Sequence, residues 1–168
     1  FAYDNESPRH KVYLNDFQLA SRPVTNGDFM AFIDAGAYSQ PEYWLSDAWK
    51  MLNGKHWRAP LYWEHIDGTW WHMTLGGMRR VDERAPVCHV SQYEAAAYAL
   101  WAGARLPTEA EWEVAATDLP VSGNLRDTDL LQPMAAPGAD SLLQMYGDVW
   151  EWPQSAYSSY PGYPAVAG

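Results

Sequence analysis

Apolar residues recur at helical spacing in three places along the chain. Phe29, Phe32 and Ile33 fall at i, i+3 and i+4, one face of a helix that Thr25 can cap and Gly36 can stop. An Ala-rich run follows Ser91 and ends at Gly103; Glu94, three residues beyond Ser91, completes a capping box. Thr108 and Glu111 repeat that spacing ahead of a third helix to about Ala116, and Pro107 blocks any helix arriving from upstream.

Elsewhere the period is two, or absent. Lys11–Ala20 carries Val12, Leu14, Phe17 and Leu19, a broken alternation that predicts a strand bent at Asn15-Asp16. Leu61–Ile66 and Thr69–Leu75 flank Asp67-Gly68, which supplies the positive φ of a type I′ turn, so a hairpin is predicted there. Tyr38–Pro60 is rich in Trp and Pro and reads as loop with short helical pieces. Asp118–Leu143 reads as surface loop, with short strands expected around Val149. Three short helices, hairpins and long ordered loops make an α+β chain, not an alternating βαβ one.

Composition narrows the classes. The 168 residues suit one domain, and 48% hydrophobic with 19% charged residues describes a folded one. A net charge of −10 argues against nucleic acid and anionic membrane as partners, since phosphate binding needs concentrated Lys and Arg. The longest apolar run, about ten residues around Ala95–Ala104, is half of the ~20 that span a bilayer. Cys88 is the one cysteine, which leaves no internal disulfide or cysteine-built zinc site and suits a reducing cytoplasm.

Candidate chemistry is sparse. His10, His56, His65, His72 and His89 contain no H-x-x-x-H pair. His65 and His72 lie on opposite arms of the hairpin and could face each other. Cys88 and His89 are neighbours whose side chains diverge in an extended segment, so Cys88 reads as a buried, inert thiol. Tyr62, Trp63, Trp70 and Trp71 form an aromatic stripe suited to sheet packing or to stacking on a planar ligand. Trp112 reads as a core plug. Glu151 stands between Trp150 and Trp152 and is expected to be buried, which requires an arginine, backbone amides or a hard cation such as calcium as partner. No phosphate loop, nucleophile elbow or dinucleotide fingerprint is present.

Arg22-Pro23-Val24-Thr25-Asn26, Pro86–Ser91 with Trp101-Ala102-Gly103, Arg105–Ala116 and Gly147-Asp148-Val149-Trp150-Glu151-Trp152 together resemble the formylglycine-generating-enzyme/sulfatase-modifying-factor superfamily. Within it, Asp4–His10, Pro60–Trp63, Cys88–Ser91 and the Gly147–Trp152 block are similar to the C-terminal domain of the ergothioneine-biosynthesis sulfoxide synthases. The resemblance implies a C-type-lectin-like fold. It also implies a partial domain over residues 1–168, lacking the N-terminal helical bundle and the closing segment. Such enzymes use iron(II), held by histidines of the bundle, and oxygen. They join a cysteine-containing thiol, or a selenol donor, to trimethylhistidine. No iron ligand is expected in this chain, and the isolated fragment is expected to be inactive. Tyr157, Tyr160 and Tyr163 are candidates for one wall of the substrate site. In the formylglycine branch a structural calcium binds the segment matching Gln144, Gly147, Val149 and Glu151; formylglycine generation and a non-catalytic lectin-like binding module are the rival functions.

Overall fold

The computed structural model describes residues 3, 6–138 and 141–164. Residues 4–5 at the start of the Asp4–His10 motif, and 165–168 at the end of the tail, lie outside the described residues. Four helices are present among them, α1 Asn26–Asp34, α2 Ser46–Lys55, α3 Gln92–Trp101 and α4 Glu109–Ala116. Strands β1 Trp63–Ile66, β2 Thr69–Thr74 and β3 Gly77–Arg80 form one antiparallel sheet in the order β1-β2-β3. The chain is α+β. None of these helices is long and apolar enough to cross a membrane.

The three predicted helices start where their caps put them. Thr25, Ser91 and Thr108 each accept from the backbone N–H three residues on, and Asp28, Glu94 and Glu111 each reach back to the cap's own N–H. Two orphan donors per helix are satisfied this way. Asp28 closes its box as a shorter acid and also takes Arg22 at 2.7 Å.

The core gathers α1, α2, α3 and the short 3-10 turns Ala37–Ser39 and Pro41–Tyr43 around Phe29, Phe32, Tyr38, Trp44 and Leu52. Phe32 sits at its centre, 5.7 Å from Tyr38 and 6.1 Å from Trp44 between ring centroids. Polar ends of these rings are satisfied: Trp44 Nε1 donates to the Ala37 carbonyl at 2.8 Å, and Tyr38 Oη to Glu94 at 2.6 Å.

The predicted elements are corrected in five places. Residues 11–20 form no strand; Tyr13 is 86% exposed, because no sheet edge takes the segment as a partner. The Trp-rich stretch holds a complete helix, α2, fixed by burial of Ala48 and Leu52 with no side-chain cap. β3 was not anticipated; Thr74 Oγ1 donating to the Gly77 carbonyl, with Gly77 at φ +93°, turns the chain into it. No strand flanks Val149. Trp112 lies outside the main cluster, half-buried and edge-on to Tyr146 at 5.7 Å.

Candidate functional site

The hairpin register decides what its aromatics can do. Trp63 stands opposite His72 and His65 opposite Trp70, so His65 and His72 are not cross-strand partners. These four share one pleat face, with Trp63 5.6 Å from Trp70 and His65 4.8 Å from Trp70, while Trp71 points the other way. Trp63 Nε1 and His72 Nδ1 are buried without a hydrogen-bond partner. Burial, and then the nearby His89, push the His72 imidazole toward its neutral form.

His72 begins one wall of an open groove of about 1700 Å³. Tyr62, Cys88 and His89 continue it, with His89 edge-on to Tyr62 at 5.1 Å. Burial raises the Cys88 thiol, which keeps it protonated, and no hydrogen bond joins it to His89 among the described residues. Cys88 is half-buried on the groove rather than fully buried as its sequence context suggested.

Much of the remaining lining comes from the segment 148–160, an irregular stretch held by other elements. Trp152 Nε1 donates to the Val90 carbonyl at 3.0 Å, Gln154 N to the Pro107 carbonyl at 2.7 Å, and Glu109 N to Ser155 Oγ at 3.1 Å. The three candidate tyrosines separate here. Tyr157 lies on the groove and is 86% exposed. Tyr160 lines it as well, donates to Glu109 Oε1 at 2.9 Å and meets the His10 ring edge-on at 4.7 Å. Tyr163 is half-buried, and its N–H donates to the Tyr160 carbonyl at 3.0 Å.

A side cleft of about 590 Å³ shares Trp150, Glu151 and Trp152 with this groove. Trp150 is 98% exposed. Glu151 is not the buried, compensated carboxylate its neighbours suggested. It is an exposed residue, because no strand forms around it to cover it. Its carboxyl nevertheless lies among the protein atoms of the cleft, which raises its pKa, against the pull of the Trp112 indole. That indole N–H closes no hydrogen bond of its own.

Gln144, Gly147, Val149 and Glu151 were the expected calcium positions. Gln144 Nε2 donates to the Met134 carbonyl at 2.8 Å and to Asp148 Oδ2 at 2.9 Å, and the Gly147 carbonyl accepts from Val149 N at 2.7 Å. Gln144 and Gly147 thus each have partners within the protein. Among the described residues no three of His, Cys, Asp and Glu gather as a metal cluster.

Sequence reasoning missed Asp148. Its Oδ1 accepts from Asn124 Nδ2 at 2.9 Å and Met134 N at 2.8 Å, and its Oδ2 from Gln144. This one carboxylate ties three loops into the groove floor. The signal was present: Gly147-Asp148 is a turn-forming dipeptide, and both residues take positive φ, +87° and +55°. Trp150 and Trp152 drew attention to Glu151 instead.

The geometry offers ring faces, three phenols, imidazoles and carboxylates, suited to holding an aromatic or cationic ligand. Residues 1–130 match the family described as sulfatase-modifying factor enzyme 1-like domain. Hercynine oxygenase of Mycolicibacterium thermoresistibile is 37% identical over 185 residues, covering 97% of this chain and 41% of that protein. The protein of the same description from Mycobacterium tuberculosis is 37% identical over 95% of this chain and 42% of its own length. The formylglycine-generating enzyme of Mycobacterium tuberculosis is 31% identical over 95% of this chain and 69% of that protein. The chain thus spans about two fifths of the length of the hercynine oxygenases it matches.

Proposed function

This chain belongs to the sulfatase-modifying factor enzyme 1-like domain family, and from that premise we propose that it is the substrate-shaping domain of a hercynine-oxygenase-type sulfoxide synthase. Its fold is read as lectin-like. Trimethylhistidine and a cysteine-containing thiol or selenol are the substrates, oxygen the co-substrate, and the cytoplasm the compartment. Iron(II) is held by a helical bundle that docks over the groove.

The observation that carries this reading is the groove itself. A trimethylammonium group cannot donate a hydrogen bond, so a site for it needs ring faces and a nearby negative charge. Tyr62, Trp150, Trp152, Tyr157 and Glu151 line one continuous surface that supplies both. Burial pushes the His72 imidazole toward its neutral form and the Cys88 thiol toward its protonated form, which disfavours a competing cation or thiolate in the same groove.

The test joins this domain to the bundle and supplies iron(II), oxygen, trimethylhistidine and candidate thiols. Sulfoxide should form with the pair and not with this chain alone; turnover by the isolated chain would sink the two-domain reading. Formylglycine generation is the second reading, favoured by the Mycobacterium tuberculosis relative. The resemblance ties it to a copper-binding pair of cysteines late in the domain, a block that Cys88 does not occupy. Conversion of a sulfatase-derived cysteine peptide by the same preparation would select it.

A further inference from the structure

We infer that Glu109 is a positioning residue: it takes the Tyr160 hydroxyl proton in a hydrogen bond, so that the phenol oxygen faces the groove as an acceptor. This rests on the reading of the groove as the substrate site. The tail from 148 to 164 has no regular structure, so something outside it must fix where Tyr160 points. Glu109 is the first residue of α4, a helix anchored by the Thr108 cap and by Arg105 bridging to Glu111 at 2.6 Å. From that rigid position it grips the tail twice, donating its backbone N–H to Ser155 Oγ at 3.1 Å and accepting Tyr160 Oη at 2.9 Å. The tail's Gln154 N–H donating to the Pro107 carbonyl adds a third point one turn away.

A phenol has one proton and two lone pairs. With the proton directed at Glu109, what remains for a ligand in the groove is acceptor capacity. Tyr160 therefore recognises an N–H group, such as the imidazole N–H of a histidine derivative, and is not itself the immediate proton donor. The surroundings hold the proton in place. The Tyr160 hydroxyl is pushed up to about 12, first by its bond to Glu109, then by burial and by the charges of Glu109, Glu113 and Glu6. His10 packs edge-on against the ring and limits its rotation.

Two measurements test this. In the isolated chain carrying 13Cζ-labelled tyrosine, one resonance, assigned by its loss in Tyr160→Phe, should remain un-ionised at pH 11. It should titrate nearer the ordinary ~10 in Glu109→Gln. An unmoved Tyr160 midpoint in Glu109→Gln overturns the pairing. In the protein that includes the bundle, Glu109→Ala should raise KM for the imidazole substrate about tenfold, with a smaller change in kcat, and should add nothing when Tyr160 is already Phe. An equal loss in both backgrounds, or no loss in the wild-type background while Tyr160→Phe is impaired, overturns the inference. A silent Tyr160→Phe sinks the prior reading of the groove instead, and the titration still decides the Glu109 contact.

Discussion

Glu94 and Glu111 occupy the same place in two capping boxes and titrate in opposite directions. Arg105 beside Glu111, with the Thr108 N–H, holds that carboxyl at about 2. Its folded value lies below its ordinary 4.5, so its stabilisation is complete above that value and is lost as pH falls toward 2. Arg105→Ala should flatten the loss of urea stability between pH 4.5 and 2.5; an unchanged slope would show that the pair contributes nothing. Glu94 is 3% exposed and has no cation, and burial raises its pKa. Its contribution is present below the unfolded pKa and declines as pH rises. Three donors soften that penalty: Tyr38 Oη, Ser91 N and Ser91 Oγ. Tyr38→Phe should cost about 1–3 kcal/mol at pH 7 in a denaturant melt, since it strips one donor from a buried carboxylate. The Ser91–Glu94 and Thr108–Glu111 boxes were legible from spacing alone. Tyr38, 56 residues from Glu94, was not, because nothing local ties them.

At the scale of elements, legibility followed local chemistry. The hairpin turn could be read because Asp67 and Gly68 both take positive φ, at +47° and +75°. Helix α2 could not, since its N-terminus lacks a capping side chain and it is held by burying Ala48 and Leu52 with Trp49 packed against the core. Residues 11–20 alternate like a strand, yet a strand needs a partner, and the sheet ends at β1 and β3. The groove floor was equally hidden, because it depends on two loops meeting backbone to backbone. A Cβ on Gly147 would lie 2.7 Å from the Asn124 carbonyl oxygen and 2.8 Å from its nitrogen, at a φ of +87°. Gly68 has comparable φ and open space around it. Gly68→Ala should therefore cost about 1–2 kcal/mol, the left-handed penalty alone. Gly147→Ala should cost clearly more and lower the denaturation midpoint further. Equal midpoints would mean that the loops can part without loss.

For the whole molecule, the aromatic core closes around Phe32, whereas on the groove rings such as Trp150 and Tyr157 face water. This contrast makes the two regions respond differently to substitution. Glu151→Ala and Trp150→Ala should each change the unfolding free energy of the isolated chain by less than about 0.5 kcal/mol, as exposed residues do. A larger loss in a urea melt would mean that the Gly147–Trp152 block is part of the folding core. Within the Gly147–Trp152 motif, Gly147 and Asp148 hold loops together while Trp150 and Glu151 are exposed on the groove. Its place on the groove could not be read from the motif, since it depends on Trp152 reaching Val90 and on Ser155 meeting α4. An indole 98% open to solvent has one more consequence: it is a light source whose colour reports its surroundings. Trp150 should emit at the red edge of the protein's fluorescence and be the tryptophan most readily quenched by acrylamide. The difference spectrum between the wild type and Trp150→Phe isolates that component, and its shift to the blue would register the moment another surface closes over the groove.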